Sequence, residues 1–465
     1  MKKQAVLKKN DTITLKIEDI TNLGFGVGKH EGAVVFVSGT VTGDVAEVKI
    51  IKATSSYYVG KLMSLTEKSN IRGEDRCPNQ KCKSCAYREI RYAEELKIKE
   101  NTVRSAFMKE GLSDIKVLPI VPSPKLTEYR NKAQYPVSMD KNGEYVIGFY
   151  APKTHTVCEA ANCPISPSVF SEILELLRGF FKNHSISAYD EVSGQGLLRH
   201  VYLRRGDVSG EILVTLVING DTVPHSDELV QIITDKFTSV VGILVNVNRE
   251  DTNVILGEEY KILWGRDYII DTLASAKLKI TAPAFYQVNH GTATLIYEEA
   301  RRLAKLEKSD TLLDLYCGAG SIGLSMAEDA GELIGIEIID SAVECARYNA
   351  TLCGKENAYF YTGDAKNAEA LLENAEKEMG KKISPDVIIL DPPRAGCDEK
   401  LTEYVASLSP KRIVYISCNP TTLARDVKRF RIMGYNTEEV KPFDMFPMTG
   451  HVESVVCLER QSDVI

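Results

Sequence analysis

The sequence predicts a multidomain α/β protein with a small N-terminal β-barrel, an α+β middle domain and a C-terminal doubly wound parallel sheet. Short apolar stretches broken by glycines fill residues 1–68, and a mixed pattern follows in residues 69–275. Apolar strands then alternate with helical segments in residues 276–465. A chain of 465 residues is too long for one ordinary core, so about two to four domains are expected.

The N-terminal barrel is predicted from short strand-like stretches between residues 11 and 65 that are bounded by turn residues. Five such stretches are expected to form it. Residues 1–109 carry 20 Lys/Arg and 13 Asp/Glu, although the whole chain has a net charge of −7. A basic barrel with aromatic side chains favours RNA as the partner. The alternative is that these aromatics belong to the barrel core: Phe25, Phe36, Tyr57 and Tyr58.

Composition and cysteine usage predict a cytoplasmic protein. Apolar residues make up 44 % and charged residues 26 % of the chain, as in globular proteins that are not membrane-bound. No apolar run has the length of a membrane span, and the N-terminus lacks the apolar core of a signal peptide. Eleven scattered cysteines do not resemble a disulfide framework. No membrane and no obligate protein partner are expected.

A cysteine cluster in the middle region predicts a metal centre. Cys77, Cys82 and Cys85 follow the spacing C-x4-C-x2-C. Cys163 precedes a proline, as Cys77 does, and is predicted to be the fourth ligand, with Cys158 as the alternative. Zinc and a 4Fe-4S cluster both accept four thiolates, so the spacing leaves both open.

A glycine loop in the C-terminal region predicts a cofactor site. Gly318, Gly320 and Gly323 follow G-x-G-x-x-G between a strand and a helix, and Glu337 ends the next strand. The glycines permit a tight turn, and the acidic residue suits two ribose hydroxyls. The pattern serves both dinucleotides and S-adenosylmethionine, so a nicotinamide-dependent oxidoreductase is one alternative. Asp314 can equally cap the glycine turn or contact the ligand.

A rigid turn after the next strand favours methyl transfer over hydride transfer. Asp391 ends the strand and is followed by two prolines, which fix the backbone there. Group-transfer enzymes that hold a planar base beside a methyl donor often use an Asp/Asn-Pro-Pro turn of this kind. Hydride transfer needs no such element.

A cysteine follows the strand of residues 412–417, where Asn419 and Pro420 signal a helix start. The free N–H groups there are expected to lower the pKa of Cys418, which makes it a candidate nucleophile. His451 and Glu453, just before the last strand, are candidate bases. Five further cysteines are expected only to pack: Cys317, Cys345, Cys353, Cys397 and Cys457.

Five motifs together resemble the RNA uracil-5 methyltransferases that act with S-adenosylmethionine. They are FYQVN (285–289), DLYCGAGSIGL (314–324), DPPRAG (391–396), SCNP (417–420) and HVES (451–454). The resemblance implies a Rossmann-like methyltransferase sheet, with Cys418 as the nucleophile that adds to uracil carbon 6 and Glu453 as the base. It also implies cofactor contacts by Gln287, Tyr316, Glu337, Asp364 and Asp391.

The similarity is greatest to the branch that modifies 23S ribosomal RNA. It implies a TRAM domain in residues 1–68 and a 4Fe-4S cluster on the four cysteines, and transfer RNA stays open as the substrate. Three features differ between this chain and related enzymes. Ser321 stands where relatives can carry Asn, and the spacing between Cys77 and Cys82 is one residue shorter than in relatives. Pro393 stands where cytosine-5 enzymes carry a cysteine, which favours uracil as the target base. A non-catalytic RNA-binding module with a structural zinc is the third hypothesis.

Overall fold

The computed structural model describes residues 7–152, 154–160 and 162–461. Within these ranges the chain forms four β-sheets and nine α-helices. None of these helices has both the length and the apolar character that crossing a membrane requires.

The N-terminal region forms a six-stranded sheet around a small apolar core. Residues 12–16 pair with residues 45–49, whereas residues 19–20 pair with residues 26–27, so two strands form within residues 12–20. Val35, Val37 and Val48 point inward and are fully buried. The strand order is β1-β5-β6-β4-β3-β2, with bounds Thr12–Lys16 (β1), Asp19–Ile20 (β2), Phe25–His30 (β3), Ala33–Ser38 (β4), Val45–Ala53 (β5) and Tyr58–Glu67 (β6).

The next region contains a seven-stranded sheet with two helices against it. Helix α2 directs Phe170, Leu174 and Leu177 into the core, at the spacing of one helix face. The order is β10-β9-β8-β11-β12-β13-β14. The elements in chain order are α1 (Tyr92–Lys109), β7 (Lys116–Val117), β8 (Lys132–Met139), β9 (Tyr145–Tyr150), β10 (Val157–Glu159), α2 (Ser168–Asn183), β11 (Leu198–Arg205), β12 (Ile212–Ile218), α3 (Ser226–Lys236), β13 (Val240–Val247) and β14 (Glu259–Gly265).

A two-stranded hairpin joins this region to the C-terminal sheet. Its strands, β15 (Tyr268–Leu273) and β16 (Ala276–Thr281), pair antiparallel. Ile269 and Leu278 belong to a core cluster that contains residues of both neighbouring sheets. The boundary predicted between residues 275 and 276 therefore lies in the turn of a hairpin.

The C-terminal sheet is doubly wound, with an antiparallel strand beside its parallel centre. Strands β17 to β21 run parallel in the order β19-β18-β17-β20-β21, followed by β24, β23 and β7, while β22 pairs with β24. Apolar clusters cover both faces, as a parallel sheet between helices requires. The elements are α4 (His290–Ala304), β17 (Thr311–Asp314), α5 (Ser321–Met326), β18 (Glu332–Glu337), α6 (Asp340–Leu352), β19 (Ala358–Thr362), α7 (Ala368–Met379), β20 (Val387–Leu390), α8 (Glu399–Ser407), β21 (Arg412–Ser417), α9 (Pro420–Ile432), β22 (Tyr435–Asn436), β23 (Glu439–Phe443) and β24 (Glu453–Arg460).

The segment from α1 to β7 packs against the C-terminal sheet, although it precedes the middle sheet in sequence. β7 pairs with β23, and α1 lies against α9. An ion pair of 2.8 Å between Arg431 and Asp114 joins α9 to the loop between α1 and β7. The cysteine segment before α1 is thereby held close to the C-terminal sheet.

Candidate functional site

The ends of the central strands bring most of the predicted site residues to one edge of the C-terminal sheet. Parallel strands all end at that edge, and the antiparallel β24 begins there. From one side of the sheet to the other the residues are Asp364 after β19, Glu337 in β18, Asp314 and Tyr316 at β17, Asp391 after β20, Cys418 after β21 and Glu453 in β24. We call this edge the crevice.

Strand pairing makes Cys418 and Glu453 neighbours. Ser417 is the last residue of β21 and pairs with Ser454 of β24. Continuing this register by one position places Cys418, just after β21, opposite Glu453, and the Glu453 carboxyl acts on the pKa of the Cys418 thiol. Cys418 and Glu453, which are 35 positions apart in sequence, thus share one point of the crevice.

The expected lowering of the Cys418 pKa is wrong. Asn419 does cap helix α9, since its side chain accepts a hydrogen bond of 3.1 Å from the Thr421 N–H. Burial, the Glu453 carboxyl and the Asp391 carboxyl nevertheless raise the pKa of the Cys418 thiol to about 11. A helix N-terminus contributes only about 0.3–1 kcal/mol at such a position, so desolvation and two carboxyls outweigh it.

Glu453 is a buried carboxyl without a partner. It is 6 % exposed, and among the described residues its carboxyl accepts no hydrogen bond. Burial first, and then the Asp391 carboxyl, raise its pKa to about 8, while the Arg394 guanidinium opposes the shift. His451, the other candidate base, is half-buried, and burial together with the charges of Arg394 and Lys99 lowers its pKa.

The half-buried Asp391 and the buried Asp314 complete the group of acids in the crevice. Burial and the Asp314 carboxyl raise the pKa of Asp391 to about 7. Burial raises the pKa of Asp314 to about 7 as well, against hydrogen bonds that it accepts from the N–H groups of Gly323 at 3.2 Å and Tyr316 at 3.4 Å. Asp314 therefore caps the glycine turn. Acids whose pKa values are raised in this way are typical of reactive sites.

The glycine turn leaves its backbone open toward the crevice. Gly318 and Gly320 have φ values of +53° and +81°, which suit glycine. The Glu337 carboxylate accepts a hydrogen bond of 3.1 Å from the Gly318 N–H and one of 2.9 Å from the Ile339 N–H. Glu337 is thus held against the turn at the end of β18.

Asp364 and Tyr316 lie on the same side of the crevice. The Gly363 N–H donates to the Glu337 carbonyl at 2.8 Å, which sets Asp364 beside the end of β18. Asp364 caps a short turn by accepting from the Lys366 N–H at 3.0 Å. Its charge reaches the Tyr316 phenol, whose pKa is raised mainly by burial and then by Cys397.

Gln287 is held in the loop between β16 and α4. Its carbonyl accepts a hydrogen bond of 2.9 Å from the Asn131 amide, and its side chain is half-buried without a hydrogen bond among the described residues. Asn289, two residues later, donates to the Met445 carbonyl at 2.9 Å. This bond ties the Gln287 loop to the segment that leads into Glu453.

Two residues of the crevice escaped the sequence reasoning. Arg394 lowers the pKa of both Cys418 and Glu453, and its carbonyl accepts from the Asn419 amide at 3.0 Å. Its position within the DPPRAG motif is the sequence feature that could have identified Arg394 as a site residue. The Tyr297 hydroxyl lies 2.9 Å from the Ser321 hydroxyl inside the core, and no local pattern on α4 marks it.

A buried ionic network holds the segment before Glu453. The Lys99 ammonium lies 2.6 Å from Asp444 and 2.9 Å from Glu95, and it donates to the Phe446 carbonyl at 3.0 Å. Glu95 also pairs with Arg76 at 2.9 Å. Breaking a buried pair of this kind costs about 3–5 kcal/mol, so helix α1 anchors this loop firmly.

The four predicted metal ligands line one pocket between the cysteine segment and the middle sheet. Cys77, Cys82, Cys85 and Cys163 all contribute to its wall, and all are free thiols. Burial and the three other thiols raise the pKa of Cys85 to about 12. Cys158 is 4 % exposed, lies on strand β10 opposite Phe149 and does not line the pocket.

Two further observations describe the spacing of the sulfur atoms and the other side chains in the cysteine pocket. Among the described residues, no three of these sulfur atoms lie within 4.8 Å of one another. Four thiolates on one tetrahedral zinc ion would be separated by about 3.8 Å, since each Zn–S bond is about 2.3 Å. His200 lines the same pocket, and both of its buried ring nitrogens lack a hydrogen-bond partner. The pocket therefore brings four thiols and one imidazole together, a set that suits either zinc or a 4Fe-4S cluster.

Known proteins and protein families match nearly the whole length of this chain. The profile of the tRNA (uracil-5-)-methyltransferase family matches residues 91–461, and that of the TRAM domain matches residues 7–63. An uncharacterized RNA methyltransferase of Clostridium acetobutylicum is 38 % identical over 464 residues, with 99 % of both chains covered. Another from Bacillus cereus is 39 % identical over 457 residues, with 98 % of both chains covered.

The fold is shared with a solved structure. Pyrococcus abyssi tRNA (uracil-54, C5)-methyltransferase, in complex with S-adenosyl-L-homocysteine, superposes with a TM-score of 0.76. The superposition covers 96 % of this chain and 100 % of that one, at 24 % sequence identity. The predicted fold class is confirmed: a TRAM domain, an intervening α+β region and an α/β methyltransferase sheet.

Proposed function

The chain belongs to the tRNA (uracil-5-)-methyltransferase family, and from that premise we propose that it methylates carbon 5 of a uridine in RNA through a transient covalent bond to Cys418. S-adenosylmethionine is the methyl donor. The observation that carries the proposal is the cross-strand pairing that makes Cys418 and Glu453 neighbours at the sheet edge. Because the chain belongs to this family, we no longer consider the two alternative functions, a nicotinamide-dependent oxidoreductase and a non-catalytic RNA-binding module.

The crevice supplies the two groups that this reaction needs. Carbon 5 of uracil is a weak nucleophile. Once the Cys418 thiol has released its proton to solvent, bond formation between the sulfur and carbon 6 moves the electron pair of the double bond into an enolate. Carbon 5 of that enolate then takes the methyl group from the sulfonium sulfur of S-adenosylmethionine, which leaves S-adenosylhomocysteine. Glu453 removes the proton on carbon 5, the double bond re-forms, and the Cys418 thiolate departs.

The electrostatics of the crevice suit these two roles. A carboxylate whose pKa is raised to about 8 is a stronger base than an ordinary glutamate, and it titrates close to the working pH. The guanidinium of Arg394 favours the thiolate of Cys418 and opposes the effect of the surrounding acids. Arg394 is therefore proposed as a positioning residue that shifts Cys418 toward its reactive form.

Five residues are proposed to hold the methyl donor: Gln287, Tyr316, Glu337, Asp364 and Asp391. Glu337 and the open glycine turn suit ribose hydroxyls and the close approach of a ligand to the backbone. Ser321 is already engaged by Tyr297, so its contribution is to hold the turn rather than to contact the ligand directly.

The cysteine pocket is proposed to hold a 4Fe-4S cluster on Cys77, Cys82, Cys85 and Cys163. Four thiols that line one pocket support a group with four thiolate ligands. Such a cluster joins the cysteine segment to the middle sheet and shapes the surface around the crevice. Zinc on the same thiols is the alternative.

The RNA substrate is proposed to be 23S ribosomal RNA, because the TRAM barrel and the cysteine set are the features of the ribosomal branch. Transfer RNA is the competing substrate. In either case the uracil must leave its stack to reach Cys418, so a loop or an extruded base is expected. The segregated positive charge of residues 1–109 favours contacts to phosphates.

The test is methylation of RNA isolated from a strain that lacks the gene. Purified protein and S-adenosylmethionine are incubated separately with its ribosomal and transfer RNA, and 5-methyluridine is mapped by mass spectrometry of nuclease fragments. We expect one new 5-methyluridine site in 23S ribosomal RNA. Modification of transfer RNA alone would overturn the ribosomal assignment, and no 5-methyluridine in either RNA would overturn the proposed activity.

A further inference from the structure

Two histidines and a glutamate meet on the helical layer of the middle region, away from the cysteine pocket. His184 caps the C-terminus of α2, His225 precedes α3, and Glu228 lies in the first turn of α3. Their ring nitrogens and carboxylate oxygen all lie within 4.8 Å of one another. In the described part of the chain no other group of three His, Cys, Asp or Glu side chains is as close.

The three side chains are arranged around a common point. The Nε2 atom of His184 lies 3.3 Å from the Oε1 atom of Glu228. The rings of His184 and His225 stack with centroids 4.2 Å apart and a tilt of 30°. The ring centroid of Phe180 lies 4.5 Å from that of His184, at a tilt of 47°, and this contact restricts the orientation of the imidazole.

His225 has no structural role that accounts for its conformation. Its φ of +57° lies in the left-handed region, and it occupies the N-cap of α3 without a capping hydrogen bond. Ser, Thr, Asp and Asn are the residues that satisfy such a helix start. Its ring is exposed and makes no hydrogen bond with any described residue. Strained positions of this kind occur where function requires them.

We propose that His184, His225 and Glu228 bind a divalent transition metal ion of the zinc class. Two imidazoles and one carboxylate are ligands that zinc accepts, with a fourth position left for water. The ion would join the end of α2 to the start of α3. Both helices pack on the seven-stranded sheet through Leu177 and Leu229, so the bound metal stabilises this layer.

The experiment titrates the protein, with its cysteine site reconstituted, with Zn²⁺ alone in a calorimeter. We expect one site that is weakened more than tenfold in each of two variants, His225→Ala and Glu228→Gln, since loss even of an outer-shell partner often costs about 10–100-fold. Asp227→Asn removes an exposed carboxylate next to Glu228, and His30→Ala removes a histidine in the barrel. Both controls should bind Zn²⁺ as the wild type does.

A second measurement separates this site from the cysteines. Co²⁺ bound by imidazole and carboxylate gives weak visible bands without the intense near-ultraviolet thiolate bands that a cysteine site produces. Intense thiolate bands at one equivalent of Co²⁺, Zn²⁺ binding unchanged in His225→Ala and Glu228→Gln, or equal weakening in Asp227→Asn would each overturn the proposal. Both variants change exposed side chains, and circular dichroism confirms that they are folded before titration.

Discussion

The crevice and the cysteine pocket are two regions that use the same functional group in different surroundings. In the crevice Cys418 lies near two acids, the buried Glu453 and the half-buried Asp391. In the cysteine pocket four thiols face one another, and they raise the pKa of Cys85. A thiol beside a proton acceptor is suited to making and breaking a covalent bond, whereas four thiols that line one pocket are suited to holding a metal or a cluster.

The two regions are also joined through the segment that leads into Glu453. The Tyr87 N–H donates to the Met448 carbonyl at 2.8 Å, and the Tyr129 hydroxyl donates to the Pro447 carbonyl at 3.0 Å. Met448 packs in a small cluster that includes Cys85 and Cys163. Changes in the cysteine pocket are therefore expected to reach the base, while changes of Cys418 are not expected to reach the pocket.

The largest expected effect is that of Cys418→Ala. Without the sulfur no covalent adduct forms, and kcat for 5-methyluridine formation is expected to fall by at least about 10⁴-fold. RNA binding, measured by filter retention, should stay within a factor of about three, since one side chain at the sheet edge is removed. Cys353→Ser, a partly exposed cysteine elsewhere, is the control and should retain full activity. Activity in Cys418→Ala would contradict the role of the thiol.

Glu453→Gln is expected to slow turnover by about 10²–10⁴-fold and to trap the intermediate. The thiol can still add to carbon 6, but the proton on carbon 5 has no acceptor, so an RNA–protein adduct should accumulate on denaturing gels. Glu459→Gln, at the exposed end of the same strand, is the matched control and should give no adduct. If Glu453→Gln turned over normally, His451 would become the candidate base.

The third change separates Cys163 from Cys158 as the fourth ligand. Cys163→Ser should lose bound iron and acid-labile sulfide and lower methylation by about tenfold through the Met448 contact. Cys158→Ser should keep both iron and sulfide, because Cys158 does not line the pocket. The measurement is iron and sulfide analysis of protein purified without oxygen. Zinc in place of iron would contradict the cluster, and the reverse pattern of the two variants would make Cys158 the ligand.

The smallest effect concerns stability and pH. The pKa of Glu453 is raised from 4.5 to about 8 by folding, so the folded state binds a proton that the unfolded state releases. Stability is therefore lost as pH rises from about 4.5 to about 8. Glu453→Gln removes this loss and should raise the free energy of unfolding by on the order of 5 kcal/mol above pH 8. Near pH 4 the gain should vanish. Urea unfolding at both pH values measures it, and a gain that does not depend on pH would contradict the shift.

Local patterns were enough to predict the order of strands along the chain and most residues of the crevice. The glycine turn, Asp391 before two prolines and Cys418 before a helix start are each marked by neighbours within a few positions. A parallel sheet then brings every strand end to the same edge, so motif position alone predicted where these side chains meet. The sixth strand of the barrel was missed because β2 has two residues and no alternating pattern.

The sequence by itself determined the family and the class of chemistry, and it supplied Cys418 and Glu453 as the proposed reactive side chains. Only the tertiary structure decided their electrostatics: Cys418 sits among acids that outweigh its helix start, Arg394 opposes those acids, and Tyr297 supports the glycine turn. The network of Lys99, Asp444 and Glu95 likewise joins residues about 350 positions apart. The reason is physical, since desolvation and Coulomb interactions depend on distances in space, which a pattern of neighbours along the chain does not contain.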